Sequence, residues 1–242
     1  MLNDPFLLIT ALVVVTTGAT LQSMSGFGLA VIASPILILI NPNFLPAPIL
    51  ALGFILSLLN CVRYRHQLHF GNIRLALLGR IPGSVLGIFL LMLLSPTFFA
   101  VCFSVFIMLS VLLTYRHINI CHTPKNLVVA GFFSGLMGTT TSVGGPPIAL
   151  VYQNSKLSTA RAELGLYFLV GTVMSLALLL ASDNINYDQL QLTLPLIPAV
   201  FIGFGLSLWL DKYFDQRFFK PLIATLSLCS CSVILLKTLI DI

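Results

Sequence analysis

Two short stretches hold most of the residues in this chain that are equipped to do chemistry. Gln22 to Gly28 reads Gln-Ser-Met-Ser-Gly-Phe-Gly, and Gly131 to Pro147 ends in Gly-Thr-Thr-Thr-Ser-Val-Gly-Gly-Pro-Pro. A helix that begins inside such a stretch presents unpaired N–H groups and a partial positive charge at its first turn. Beside it, Ser23, Ser25, Thr139, Thr140, Thr141 and Ser142 offer hydroxyl donors. Gly26, Gly28, Gly144 and Gly145 allow close backbone approach, and Pro146 suits a first helical turn because its missing N–H would be orphaned anyway. Together these groups make a neutral cradle for a small oxyanion, and they are the candidate binding residues.

The elements that must position them are membrane helices. Of 242 residues 58% are hydrophobic and 8% charged, with a mean hydropathy of +1.05, which defines an all-α, polytopic integral membrane protein. Spans of about 20 apolar residues cross a bilayer core of about 30 Å. Six clear candidates occupy residues 45–62, 75–94, 98–115, 164–182, 190–210 and 218–236. The N-terminus lacks a basic region ahead of its apolar stretch, so it reads as a first membrane segment and not a removable signal. Cys61, Cys102, Cys121, Cys229 and Cys231 lack metal-ligand spacing and read as reduced packing residues.

Loop charge gives the topology. Four loops, bearing Arg63, Arg65 and Arg74, then Arg116 and Lys125, then Lys156 and Arg161, then Lys212, Arg217 and Lys220, hold ten of the twelve basic residues and are assigned to the cytoplasm. Residues 1–4, 41–46, 95–97, 183–188 and 238–242 contain no Lys or Arg. They are assigned outside, and both termini with them, in a cell (inner) membrane.

This assignment makes residues 126–153 leave the cytoplasmic face and return to it within 28 residues, where two crossings need about 40. A short helix in, a break at 139–147 and a short helix back is the better drawing. Residues 5–41 repeat the problem, either as two spans or as a re-entrant hairpin broken at 22–28. Non-helical backbone in lipid must face protein or water. Glycines and small hydroxyl residues also serve plain helix packing. The length argument favours a site at 139–147 and leaves 22–28 open between the two readings.

The two breaks look like copies. Ser25 and Gly28 align with Ser142 and Gly145 at an offset of 117, and Ile81-Pro82 with Gly87 aligns with Ile197-Pro198 and Gly203 at 116. Corresponding loops carry opposite sidedness. The chain therefore reads as two membrane repeats, residues 1–120 and 121–242, of inverted topology, each with a broken or re-entrant helix pair plus three full spans. That architecture typically places a site at the midplane, between discontinuous helices.

Gly-Gly-Pro-Pro at 144–147, the aliphatic helix ending at Tyr152, and Thr-Ala-Arg-Ala-Glu-Leu-Gly-Leu-Tyr-Phe at 159–168 resemble the TauE/SafE family of sulfite and organosulfonate exporters across essentially the whole chain. The family's first break is usually denser in glycine than Ser25-Gly26-Phe27-Gly28. The resemblance implies a carrier of sulfite, thiosulfate or two-carbon sulfonates.

Charged residues in the spans each have two readings. Arg80, about 9 Å deeper than Arg74 along a helix, either snorkels to the cytoplasmic interface or lines a vestibule that attracts anions. Arg161 and Glu163, the latter the only glutamate, form a local charge pair or anchor, or else capture the anion and couple a proton. His66 and His69 fit a solvated loop, and Asn60, Tyr152 and Gln153 fit the interface near helix ends.

No His-Glu-x-x-His, Gly-x-Ser-x-Gly or Walker sequence occurs, so the chain is read as no enzyme, with no cofactor, no metal and no nucleic-acid partner. Its partners are the lipid bilayer, a small inorganic or organic sulfur anion, and a proton as an optional coupling ion. The leading function is a secondary transporter working by alternating access. A passive anion channel and a non-transporting membrane scaffold are the alternatives.

Overall fold

The computed structural model describes residues 4–68, 70–93, 101, 104, 105, 108, 120–213 and 232. The expected spans 98–115 and 218–236, the basic residues Arg116, Arg217 and Lys220, the outer loops 95–97 and 238–242, and Cys102, Cys229 and Cys231 lie wholly or largely outside the described residues, as does His69.

Nine α-helices are described: α1 Pro5–Ser25, α2 Leu29–Ile40, α3 Ala47–Arg63, α4 Phe70–Leu93, α5 Pro124–Thr141, α6 Gly145–Tyr152, α7 Leu157–Ala181, α8 Tyr187–Thr193 and α9 Ile197–Leu210. Short 3-10 turns precede α3 and join α8 to α9. Five stretches are long and apolar enough to cross a membrane, namely Pro5–Ser25, Pro42–Arg63, Ile73–Leu93, Leu157–Ala181 and Tyr187–Leu210. Phe6, Ile9, Leu78, Phe89, Leu180, Phe201 and Trp209 are exposed on these helices, which is the surface lipid would cover. The chain is an all-helical, multi-pass membrane protein.

Both breaks form where the composition puts them. Asp4 caps α1 by accepting from the Phe6 N–H at 3.0 Å, and α1 ends at Gly26, whose φ of 92° needs no Cβ to clash. Gly28 then caps α2. With 21 residues, α1 reaches about 31 Å. The N-terminal pair is therefore one span-length helix followed by a 12-residue return, α2. In the second half α5 has 18 residues and α6 only 8. Ser142, Val143 and Gly144 separate them, a tighter break than residues 139–147.

The halves interlock reciprocally. The first helix of each half packs on the last described long helix of the other: α1 on α9, and α5 on α4. Helices α3 and α7, third in their halves, pack on each other. Small residues make both crossings close. Any Cβ on Gly79 or Gly83 of α4 would collide with the Val128 or Phe132 carbonyl of α5, and one on Gly131 would collide with the Ala76 carbonyl. A Cβ on Gly203 of α9 would lie 2.5 Å from the Thr16 carbonyl oxygen of α1, and Thr20 donates to the Gly203 carbonyl at 3.1 Å. One apolar core joins α1, α2, α3 and α9 around Val15, Leu29, Leu52 and Val200, and a second joins α4 to α7 around Ile73, Leu127, Ile148 and Tyr167.

Candidate functional site

Each break rests on the start of the other half's third helix. Gly26 faces Arg161 and Leu164 of α7, while the Ser142 hydroxyl donates to the Pro46 carbonyl ahead of α3 at 2.9 Å. The breaks also meet directly, since a Cβ on Gly145 would lie 3.2 Å from the Phe27 Cβ.

Most of the hydroxyls are spent on the backbone. Ser25 lies 2.7 Å from the Leu21 carbonyl and 2.5 Å from that of Phe27. Thr140 donates to the Leu136 carbonyl at 2.8 Å, and Thr141 to that of Met137 at 2.7 Å. The Thr141 oxygen also accepts from the Val143 N–H at 3.2 Å. These bonds back onto the preceding turn. Thr139 is 2.9 Å from Ser175 of α7, and Ser23 accepts from the Asn60 amide at 3.3 Å. The helix starts are partly satisfied as well. The Leu29 N–H at the head of α2 donates to Gln22 Oε1 at 3.0 Å, and Pro146 and Pro147 leave Gly145 alone among the first three residues of α6 in carrying an N–H.

What remains is a cavity of about 40 Å³ between the breaks, lined by Gln22, Phe27 and Gly28 of the first and Ser142, Gly144 and Gly145 of the second. Ser57 of α3, Arg80 of α4, Thr172 of α7 and apolar side chains complete the wall. Of the residues singled out from the sequence, the structure thus brings Gly28, Ser142, Gly144, Gly145 and Arg80 to the cavity. It places Ser23, Ser25, Gly26, Thr139, Thr140, Thr141 and Pro146 behind it, holding the breaks in shape, and Arg161 and Glu163 off its wall. A volume of about 40 Å³ accepts about three water molecules.

Arg80 changes the electrostatics of this cradle from neutral to cationic. It does not snorkel: it is 1% exposed, and its guanidinium lies 4.9 Å from the centre of the Tyr167 ring. Nη1 reaches the Ser134 hydroxyl at 3.4 Å, and Nε has no partner. Gly171 of α7 makes room for it, because any Cβ there would collide with the guanidinium. Among the described residues no carboxylate pairs with it. Burying a cation without an acid is costly unless something else compensates.

Arg161 and Glu163 sit away from the cavity. Arg161 does not pair with Glu163. It makes a two-pronged ion pair with Asp211, just past α9, at 2.6 and 2.8 Å, and its Nε donates to the Met24 carbonyl at 2.5 Å. Arg63 joins the same carboxylate at 3.0 Å, and the Tyr64 hydroxyl accepts from Arg161 at 3.1 Å. This cluster ties α1, α3, α7 and α9 together at one end. Glu163 is buried beside Tyr152, and its Oε2 has no hydrogen-bond partner. Two interfacial assignments need correction. Asn60 is buried and bonded to Ser23 and to the Leu56 carbonyl, and Tyr152 is buried at the end of α6. Gln153 and His66 are exposed as expected. Sequence reasoning missed Asp211, which stands in no motif, and named Gln22 only as the start of the first break without a role for its side chain.

Both helix breaks face one small cavity beside Arg80, an arrangement also found in membrane transporters built on discontinuous helices. The chain belongs to the sulfite exporter TauE/SafE family, whose sequence model matches residues 10–234. That family transports and does not catalyse, and membership places the chain among membrane exporters of sulfite and related sulfur anions. No curated protein and no solved structure matches it.

Proposed function

We propose that the protein is a secondary transporter that moves a small sulfur oxyanion through the cavity between its breaks by alternating movement of two inverted halves, residues 1–120 and 121–242. The observation that carries this reading is the convergence of both breaks and the uncompensated Arg80 on one cavity. The packing of each half's first helix on the last described long helix of the other supports the inverted repeat. Gly28, Ser142, Gly144 and Gly145 contact the anion, Arg80 attracts it, and the hydroxyls behind them hold the backbone. Arg161 acts as a structural anchor.

In a cell membrane with the termini outside, a potential negative inside favours anion exit by about 2.3 kcal/mol per charge per 100 mV. Export therefore runs without an obligatory proton, and Glu163 serves any coupling that exists. Flux of sulfite, thiosulfate and sulfoacetate into proteoliposomes, under imposed voltage and pH gradients, tests the reading. Saturable flux with counter-transport supports a carrier, whereas large unitary currents would make it a channel.

A further inference from the structure

The cavity's charge says more about its ligand than its shape does. An arginine carries five N–H donors in a planar fork that matches two oxygens of an oxyanion. Arg80 spends one of them, on Ser134 at 3.4 Å, and its buried Nε on nothing. One face of the fork is covered by the Tyr167 ring. The helix starts are thinned, since the Leu29 N–H is taken by Gln22 and two of the first three residues of α6 are prolines, which leaves the Gly145 N–H at that end. Among the described residues Arg80 carries the one full positive charge on the cavity wall. Among the described residues no aspartate or glutamate lines the cavity. Two buried or half-buried acids lie off the cavity wall, Asp211 paired with Arg63 and Arg161, and Glu163 beside Tyr152.

We propose that Arg80 is the anion-binding residue and that the cavity selects compact oxyanions carrying no cationic group, rejecting ammonium-bearing sulfonates. An ammonium drawn in with its sulfonate would sit near a buried guanidinium with no carboxylate to receive it, an unpaired buried charge on top of a like-charge repulsion. A volume of about 40 Å³, about three waters, suits a three-oxygen head. This inference rests on the transport reading above and narrows its substrate class.

The test is competition against sulfite uptake in proteoliposomes by 2-hydroxyethanesulfonate and by 2-aminoethanesulfonate, which share a length and a head and differ in hydroxyl against ammonium. The hydroxy compound is expected to inhibit at a concentration at least tenfold lower. Equal inhibition by the two, or inhibition by neither, overturns the inference while leaving the transport reading intact. Absence of sulfite uptake by folded wild-type protein would instead sink the transport reading itself. Arg80→Gln is expected to lower sulfite uptake at least 100-fold. Arg80→Lys, which keeps the charge but not the fork, guards against a folding defect: it should restore measurable uptake, about tenfold weaker than wild type, with the same preference against ammonium. Wild-type uptake by a monodisperse Arg80→Gln protein, or loss of the preference in Arg80→Lys, assigns the selectivity elsewhere.

Discussion

Gly145 is where the two breaks touch, and replacing it with valine should stop transport without stopping assembly. The backbone there is not in the left-handed region, so a side chain brings no backbone strain, and the effect must come from space. The first added carbon would lie 3.2 Å from the Phe27 Cβ and 3.3 Å from its Cδ2, so Phe27 must give by a few tenths of an ångström. Gly145→Ala asks for no more than this and should lower transport less than about fivefold, on an overpacking cost under about 1 kcal/mol. Valine adds two methyl groups beyond that carbon, against a cavity with room for about three waters. Overpacking of this kind costs about 1–3 kcal/mol. At 1.4 kcal/mol per factor of ten, the productive arrangement becomes about 5- to 150-fold rarer. The assay is initial sulfite uptake by proteoliposomes at matched protein content, with size-exclusion profiles to show that both variants insert and fold. Uptake by a monodisperse Gly145→Val protein at the wild-type rate would refute the placement of the substrate path between the breaks.

Other consequences are equally measurable. Asp211→Asn strips the shared carboxylate from Arg63 and Arg161, whose pairs are neither fully buried nor exposed. A loss of about 1–3 kcal/mol, or about 3–10 °C in detergent, is expected, and a shift below about 2 °C speaks against the cluster as a tie between helices. Gly83→Leu drives a side chain into the Phe132 carbonyl and should leave no monodisperse protein, whereas a well-behaved variant would contradict the close α4–α5 crossing. Gln22→Met keeps the bulk but leaves the Leu29 N–H without its acceptor, costing about 1–3 kcal/mol at the head of α2. Uptake should fall about tenfold in folded protein, and an unchanged rate would show that the cap is dispensable.

Local chemistry was the legible part. Gly26 and Gly28, with Gly144 and Gly145 followed by two prolines, leave a membrane helix few alternatives to breaking, and α2 and α6 start within a residue of where glycine and proline set them. Glycines four apart at 79, 83 and 87 let α4 cross α5 closely, a spacing that only the packed structure gives its meaning. What the sequence could not show depends on distant residues. A threonine in a membrane helix reads as a donor, yet its own preceding turn supplies the nearest acceptor, so Thr140 and Thr141 turn inward to Leu136 and Met137. Arg80 had a snorkelling reading until Tyr167, Ser134 and the bare Gly171 came around it. Arg161 stands two residues from a glutamate but is drawn to Asp211, fifty positions on, because the end of α9 arrives beside the start of α7. Asn60 sits at a helix end, where interfaces are usual, and is nonetheless buried against the first break.

The most direct test of the central claim is radiolabelled sulfite counterflow in proteoliposomes of the purified protein. Vesicles preloaded with unlabelled sulfite should accumulate label transiently and saturably, and Gly145→Val should slow that accumulation about 5- to 150-fold. A folded wild-type protein that shows no counterflow of sulfite, thiosulfate or sulfoacetate would contradict a carrier built around this cavity.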